Sequence, residues 1–168
     1  IKRVVVIIRK GKEILKESLS TVDMEVVWLY QENPAGEMDA IALAEPYCSR
    51  KSLAILYPDN VICNRDGPGT LEQLVAVYEK TGRDMLGLTE VTAEEGIGWG
   101  NSGIVDFSPI GGNLFEINRF ITKEPGHYTP RYPGDLRGLG IWVAGFHLFD
   151  VIRTARLEIP EDVEFTDG

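Results

Sequence analysis

The chain has 168 residues, of which 43% are hydrophobic and 26% charged. That composition and length suit one globular domain with its own core, and they exclude disorder, collagen and coiled coil. The 17 basic and 26 acidic residues leave a net charge of -9, which repels polyanions and argues against nucleic acid as a partner, but not against a small anionic ligand.

No stretch reaches the roughly 18 uncharged apolar residues that a membrane span needs. Cys48 and Cys63 are too few for a disulfide framework or a four-cysteine zinc site, and packing is their expected role. His127 and His147 leave little material for a His-rich metal site. No signal peptide is recognisable, so a cytoplasmic setting is expected. The chain opens on Ile1 with the strand-like IKRVVVII, and residues upstream of it are expected.

The β-branched run over 4–8 predicts a strand buried on both faces. RKGKEILKESLS follows as a helix with Ile14, Leu15 and Leu19 on one face, and MEVVWLYQ is a second strand ending at Gln31. ENPAGEMD is a breaker-rich turn, and 40–46 reads as a short helix turning Ala40, Ile41, Leu43 and Ala44 inward. SLAILYPDNVI is a third apolar run. An amphipathic helix spans 70–81, with Thr70 as N-cap, Gln73 completing a capping box and Gly82 as the stop.

MLGLTEV is a further strand. GIVDFSPIGGNLFEINRF reads as two strands joined by a glycine turn over 110–113. EPGHYTPRYPGD is an irregular excursion, LGIWVAGF a strand and LFDVIRTA a helix. The alternation predicts an α/β layer fold with a mixed, mostly parallel sheet and flanking helices.

Gly98, Gly100 and Gly103 match GxGxxG by letter, but the strand-like IVDF follows them rather than a helix, which argues against a dinucleotide site. More informative is Tyr57-Pro58-Asp59-Asn60. A carboxylate at the carboxyl end of a buried strand suits a hard cation shared with substrate phosphates, and it equally suits a turn or cap. Gln31 can donate and accept through one amide, which suits a nucleobase edge, and Gly36 would allow close backbone approach. Read alone, the pair is also an ordinary loop glutamine and turn glycine. Lys123 in FITKEP could neutralise a phosphate or be solvated. Trp28 and Trp142 read as core, Glu94 and Glu95 as a solvated face, and His127 has no evident partner.

In order and spacing, these segments resemble the sugar-1-phosphate nucleotidylyltransferases, in particular the glucose-1-phosphate uridylyltransferases and thymidylyltransferases. YQENPAG resembles the base-reading glutamine and glycine, and GEMDAIALA the G-x-x-[HDQ]-A helix. LAILYPDNVI resembles the strand ending in the metal-binding aspartate, SGIVDF the YGIVD strand, FITKEP the EKP strand, LGIWVAGFHLFDVI the GRYVLTPEIFDLL stretch and VEFTDG the QLTDA motif.

The resemblance implies a Rossmann-like nucleotide-diphospho-sugar transferase fold and a Mg²⁺-dependent reaction of a nucleoside triphosphate with a sugar 1-phosphate. It implies that Gln31, Gly36 and Asp39 bind the nucleotide, that Asp59 holds Mg²⁺, and that Gly103 and Thr122 line the sugar pocket. Lys123 would contact the phosphates, and Lys123 and Asp59 would carry the chemistry. Homo-oligomers are common among such enzymes.

The family's glycine-rich loop, GxGTRhhPhT, and its PK pair have no match in the chain, and Thr122 stands where the EKP glutamate is expected. The expectation is therefore a single nucleotidyltransferase-like domain over 1–168, incomplete at both ends and inactive by itself. A non-catalytic nucleotide-binding or regulatory module of the same fold is the alternative, and a cytidylyltransferase for another phosphorylated alcohol is a second.

Overall fold

The computed structural model describes residues 1–32, 36–60, 62–63, 67–100, 103–121 and 125–158. The chain divides into two compact units, one formed by Ile1–Lys51 with Phe146–Gly168 and the other by Ser52–Gly145.

In the first unit, β1 (Arg3–Ile8) and β2 (Glu25–Tyr30) form a parallel pair in which Val4 faces Val26 and Ile8 faces Tyr30. The β-branched run favours this extended, pleated conformation. The connection between them holds only one helical turn, α1 (Leu15–Ser18), shorter than expected. Ile14 and Leu15 are largely exposed and Leu19 is half-buried, so the predicted apolar face packs only in part, and helical stability comes mostly from such packing.

Helix α2 (Glu37–Leu43) starts earlier than the 40–46 reading. Gly36, at φ 104°, breaks the chain before it, and Glu37 and Asp39 sit in its first turn, where the helix dipole favours acids. It ends at Leu43 because Pro46 has no N–H for a carbonyl four residues back, and a 3₁₀ turn over Glu45–Tyr47 follows. Helix α5 (Leu148–Glu158) closes the unit with Phe149 and Ile152 buried three residues apart.

The second unit is built on β3 (Leu53–Leu56), β7 (Leu136–Ala144) and β4 (Met85–Glu90), in that spatial order. Both outer strands run antiparallel to β7 and so share one direction, and α3 (Thr70–Thr81) joins them. Helix α3 has the expected bounds and ends on Gly82 at φ 68°. Its N-cap is Gly69, not Thr70, and Gln73 Nε2 donates to the Pro68 carbonyl (2.9 Å) instead of completing a capping box. The capping box lies on α4 (Ala93–Gly96), between Thr92 and Glu95, so Glu95 is engaged rather than merely solvated. Strands β5 (Val105–Gly111) and β6 (Leu114–Phe120) form the expected hairpin.

Val91, Ile104 and Tyr128 form a buried cluster, with Trp99 and Ile121 packed against it. Trp28 and Trp142 are half-buried, and Cys63 is exposed rather than packed. The fold is α/β and mixed as expected. Among the described strands, however, β1–β2 is the one parallel ladder and the other three are antiparallel. Strand β7 enters between two like-directed strands, and period-2 patterning carries no information on direction.

The loop before β7 is tied down by charge. Arg131 donates to both Asp135 oxygens, to Asp106 Oδ1 and to the Val105 carbonyl, at 2.7–2.9 Å. Asp135 is fully buried. Burial pushes its carboxyl up, but the Arg131 hydrogen bonds and charge outweigh that and hold it below the ordinary value.

Candidate functional site

In the first unit, β2 delivers Gln31 to its carboxyl end, where the Gln31 N–H still donates to the Ile8 carbonyl (3.0 Å). The side chain turns toward the start of α2. Nε2 donates to the Gly36 carbonyl at 3.1 Å and to Asp39 Oδ2 at 3.3 Å. Arg156 on α5 donates to the other oxygen, Asp39 Oδ1, at 2.7 Å.

The structure thus brings Gln31, Gly36 and Asp39 together and adds Arg156, which the sequence did not single out. Nε2 of Gln31 has two acceptors within the protein, and no partner of Oε1 is found among the described residues.

In the second unit, Asp59 sits exposed in the turn after β3 and accepts from Asn60 Nδ2 (3.3 Å). That turn lies against Gly140, whose φ of 67° strains any residue that carries a Cβ. A Cβ on Gly140 would come within 3.0 Å of Tyr57 and 3.2 Å of Asn60 Nδ2. The Tyr57 N–H donates to the Gly140 carbonyl (2.9 Å), which seats the turn on β7. Gly103, at φ 73°, accepts from the Gly138 N–H (2.6 Å), and a Cβ there would press on the Gly138 carbonyl. Ile104 then bridges to Arg137 and leads into β5, so Gly98, Gly100 and Gly103 precede strand rather than helix. Thr122, Lys123 and the VEFTDG motif lie outside the described residues.

Arg137 is the second residue that sequence reasoning missed. Its guanidinium stacks on Trp99 (4.3 Å) and Tyr128 (5.4 Å), donates to the Gly100 carbonyl (3.3 Å) and leaves Nε buried without a partner among the described residues. Burial holds it below its ordinary pKa, while the charges of Tyr128 and Asp59 act the other way. A cleft of about 450 Å³ between segments 90–93 and 130–135 contains none of the residues expected from the sequence.

Among the described residues no group of three His, Cys, Asp or Glu is gathered to hold a metal ion. Asp59 with the Asn60 amide is a sparse, oxygen-bearing set on the surface. Such a set does not fit a resident zinc ion, but it fits Mg²⁺ whose remaining ligands are water and substrate phosphates.

The chain resembles the sugar-1-phosphate nucleotidylyltransferases in sequence and in fold. The particular relatives are UTP–glucose-1-phosphate uridylyltransferases. The protein of that name from Staphylococcus epidermidis is 28% identical over 161 residues, covering 95% of this chain and 53% of the relative. The Bacillus subtilis protein YngB is 26% identical over 161 residues, covering 95% and 52%. The chain therefore spans about half the length of the curated relatives it matches. No protein-family model matches it.

Among solved structures, a UDP-glucose pyrophosphorylase complexed with UDP-glucose superposes with a TM-score of 0.71 at 17% identity, covering 90% of this chain and 61% of that one. A UTP-bound UGPase from Acinetobacter baumannii gives 0.71 at 17% identity, covering 99% and 64%. At this identity the likeness establishes the fold. Among the described residues no helix is long and apolar enough to cross a membrane.

Proposed function

We propose that this chain is the nucleotide-handling part of a protein that makes a UDP- or dTDP-sugar. In that reaction an oxygen of the sugar 1-phosphate attacks the α-phosphorus of the nucleoside triphosphate, and pyrophosphate leaves. The observation that supports the reading most is the Gln31 amide, held at a strand end with no partner on its acceptor oxygen among the described residues. An acceptor there complements the N3–H of uracil or thymine.

In this reading Gln31 and Gly36 hold the base and Asp39 fixes Gln31, while Gly103, packed against Gly138, takes its place beside the sugar from the resemblance alone. Thr122 and Lys123 take their sugar and phosphate roles from the resemblance alone. Asp59, oriented by Asn60, holds Mg²⁺ together with the phosphates. When bound, the ion offsets phosphate charge. The protein's own part is positioning and charge complementarity, the main sources of catalysis in phosphoryl chemistry. A nucleoside triphosphate as substrate agrees with a cytoplasmic setting. The 168-residue chain assayed alone is proposed to bind nucleotide without turnover, because no phosphate-cradling glycine loop is matched in it.

The test is thermal unfolding of the chain with UTP, dTTP, CTP or ATP, each with and without Mg²⁺. A nucleotide at a hundredfold excess over Kd adds about 2.7 kcal/mol, or about 5–10 °C in Tm. The expected result is a shift with UTP or dTTP that grows with Mg²⁺. Asp59→Ala should remove the Mg²⁺-dependent part and leave the rest. A chain that no nucleotide stabilises would rule out the reading.

A further inference from the structure

We propose that Arg156 and Asp39 are positioning residues that lock the orientation of the Gln31 amide, so that the site presents an acceptor and selects a base carrying an N–H at N3. This rests on the base-holding role proposed for Gln31 and goes beyond it by naming what sets its hydrogen-bonding sense.

Donors and acceptors decide the orientation. An amide has two ends of nearly equal shape, and either can face a ligand. Here the inner end faces the Gly36 carbonyl and the Asp39 carboxylate. Both are acceptors only, so the inner end must be the NH₂ and the outer end Oε1. Asp39 in turn is held by Arg156, which has donors only and no other side-chain partner among the described residues. The chain of hydrogen bonds therefore has a single sense from Arg156 to the ligand. The link is invisible in sequence, because Arg156 and Asp39 are 117 residues apart. Uracil and thymine meet Oε1 with N3–H. Cytosine in the same pose presents an unprotonated N3, and two acceptors oppose each other.

The lock predicts a paired result in two variants. In Asp39→Asn, Arg156 claims the new amide's oxygen, so its NH₂ faces Gln31 and works against the native orientation. The ratio of the CTP to the UTP dissociation constant should then fall by about fivefold or more, the worth of one mismatched hydrogen bond. In the double variant Asp39→Asn/Arg156→Met, the amide introduced at position 39 is free to turn its oxygen to Gln31, and the ratio should recover. A role in stability alone shifts both nucleotides together and makes the double variant worse.

An unchanged ratio in Asp39→Asn, or no recovery in the double variant, overturns the lock. Gln31→Ala separates the two ideas. If it binds UTP as well as the wild type, the base-holding reading fails. If it loses UTP while the ratio test is flat, that reading stands and the lock falls. A measurement without ligand covers the case of a variant that does not fold. The Gln31 side-chain NH₂ protons of the wild type should exchange slowly with solvent in ¹H–¹⁵N spectra, and fast exchange overturns the proposal.

Discussion

Tyr128 is completely buried, and its hydroxyl has no hydrogen-bond partner among the described residues. Burial and the nearby Asp135 carboxylate push its phenol up to about 12. A phenol whose folded value lies above its unfolded value, near 10, contributes stability that is complete below pH 10 and lost as pH rises toward 12. Tyr128→Phe removes both the unpaired hydroxyl and this titration. The variant should be as stable as the wild type or more so at about pH 7, and its Tm should pull further ahead between about pH 10 and 12. Parallel alkaline curves would show that Tyr128 does not titrate with unfolding.

At this scale the sequence was informative where a residue sat at the end of an apolar run. Gln31 and Asp59 stood out because a polar group there lies at the mouth of a strand. Arg137, Arg156 and Asp135 did not stand out, since a charge in mid-strand, on a late helical turn or in a Pro/Gly-rich loop acquires meaning only from partners that sequence order does not reveal.

Glycines decide where several elements stop, and two of them separate backbone strain from steric conflict. Gly82 caps α3 at φ 68°, and a Cβ there would meet nothing within 4 Å. Gly82→Ala should therefore cost about 1 kcal/mol, from the left-handed backbone alone. Gly140 has nearly the same φ, but its Cβ would press on Tyr57 and Asn60. Gly140→Ala should cost about 2–3 kcal/mol in denaturant unfolding and also weaken Mg²⁺-dependent nucleotide binding, by displacing the turn that carries Asp59. Equal costs for the two variants would contradict this account.

Helix α3 was legible because it has both an amphipathic period and a glycine stop. Helix α1 was not, since its pattern promised a buried face of which Ile14 and Leu15 stay largely exposed. Thr70 and Gln73 carried the letters of a capping box, but Gly69 is extended at φ -61° and ψ 154° and takes the cap position. A motif of two residues cannot reveal which of two adjacent residues leaves the helix.

On the scale of the whole molecule, the alternation of helix and strand was enough for the α/β class, because each element's period is local. Sheet order and strand direction were not legible. They depend on β7, which comes late in the chain and pairs with β3 and β4, far back in sequence.

The β1–β2 ladder has no third strand hydrogen-bonded to it among the described residues. Among the described residues, then, the ladder presents a β-branched edge without a hydrogen-bonded partner, a template for another copy of the chain. Lys2 precedes its valines and isoleucines, and Arg9 and Lys10 follow them, three cations in a chain of net charge -9, while Arg3 is paired with Glu25 (2.8 Å). A second β1 laid alongside would meet like charge at both ends, whether it ran parallel or antiparallel. These residues act as gatekeepers against self-assembly. Their reach is the Debye length, which shrinks from about 10 Å at 0.1 M salt to about 3 Å at 1 M. Light scattering should therefore show the chain associating as salt rises, and Arg9→Ser/Lys10→Ser should bring that association down to low salt. If neither change promotes association, the cations do not guard the edge.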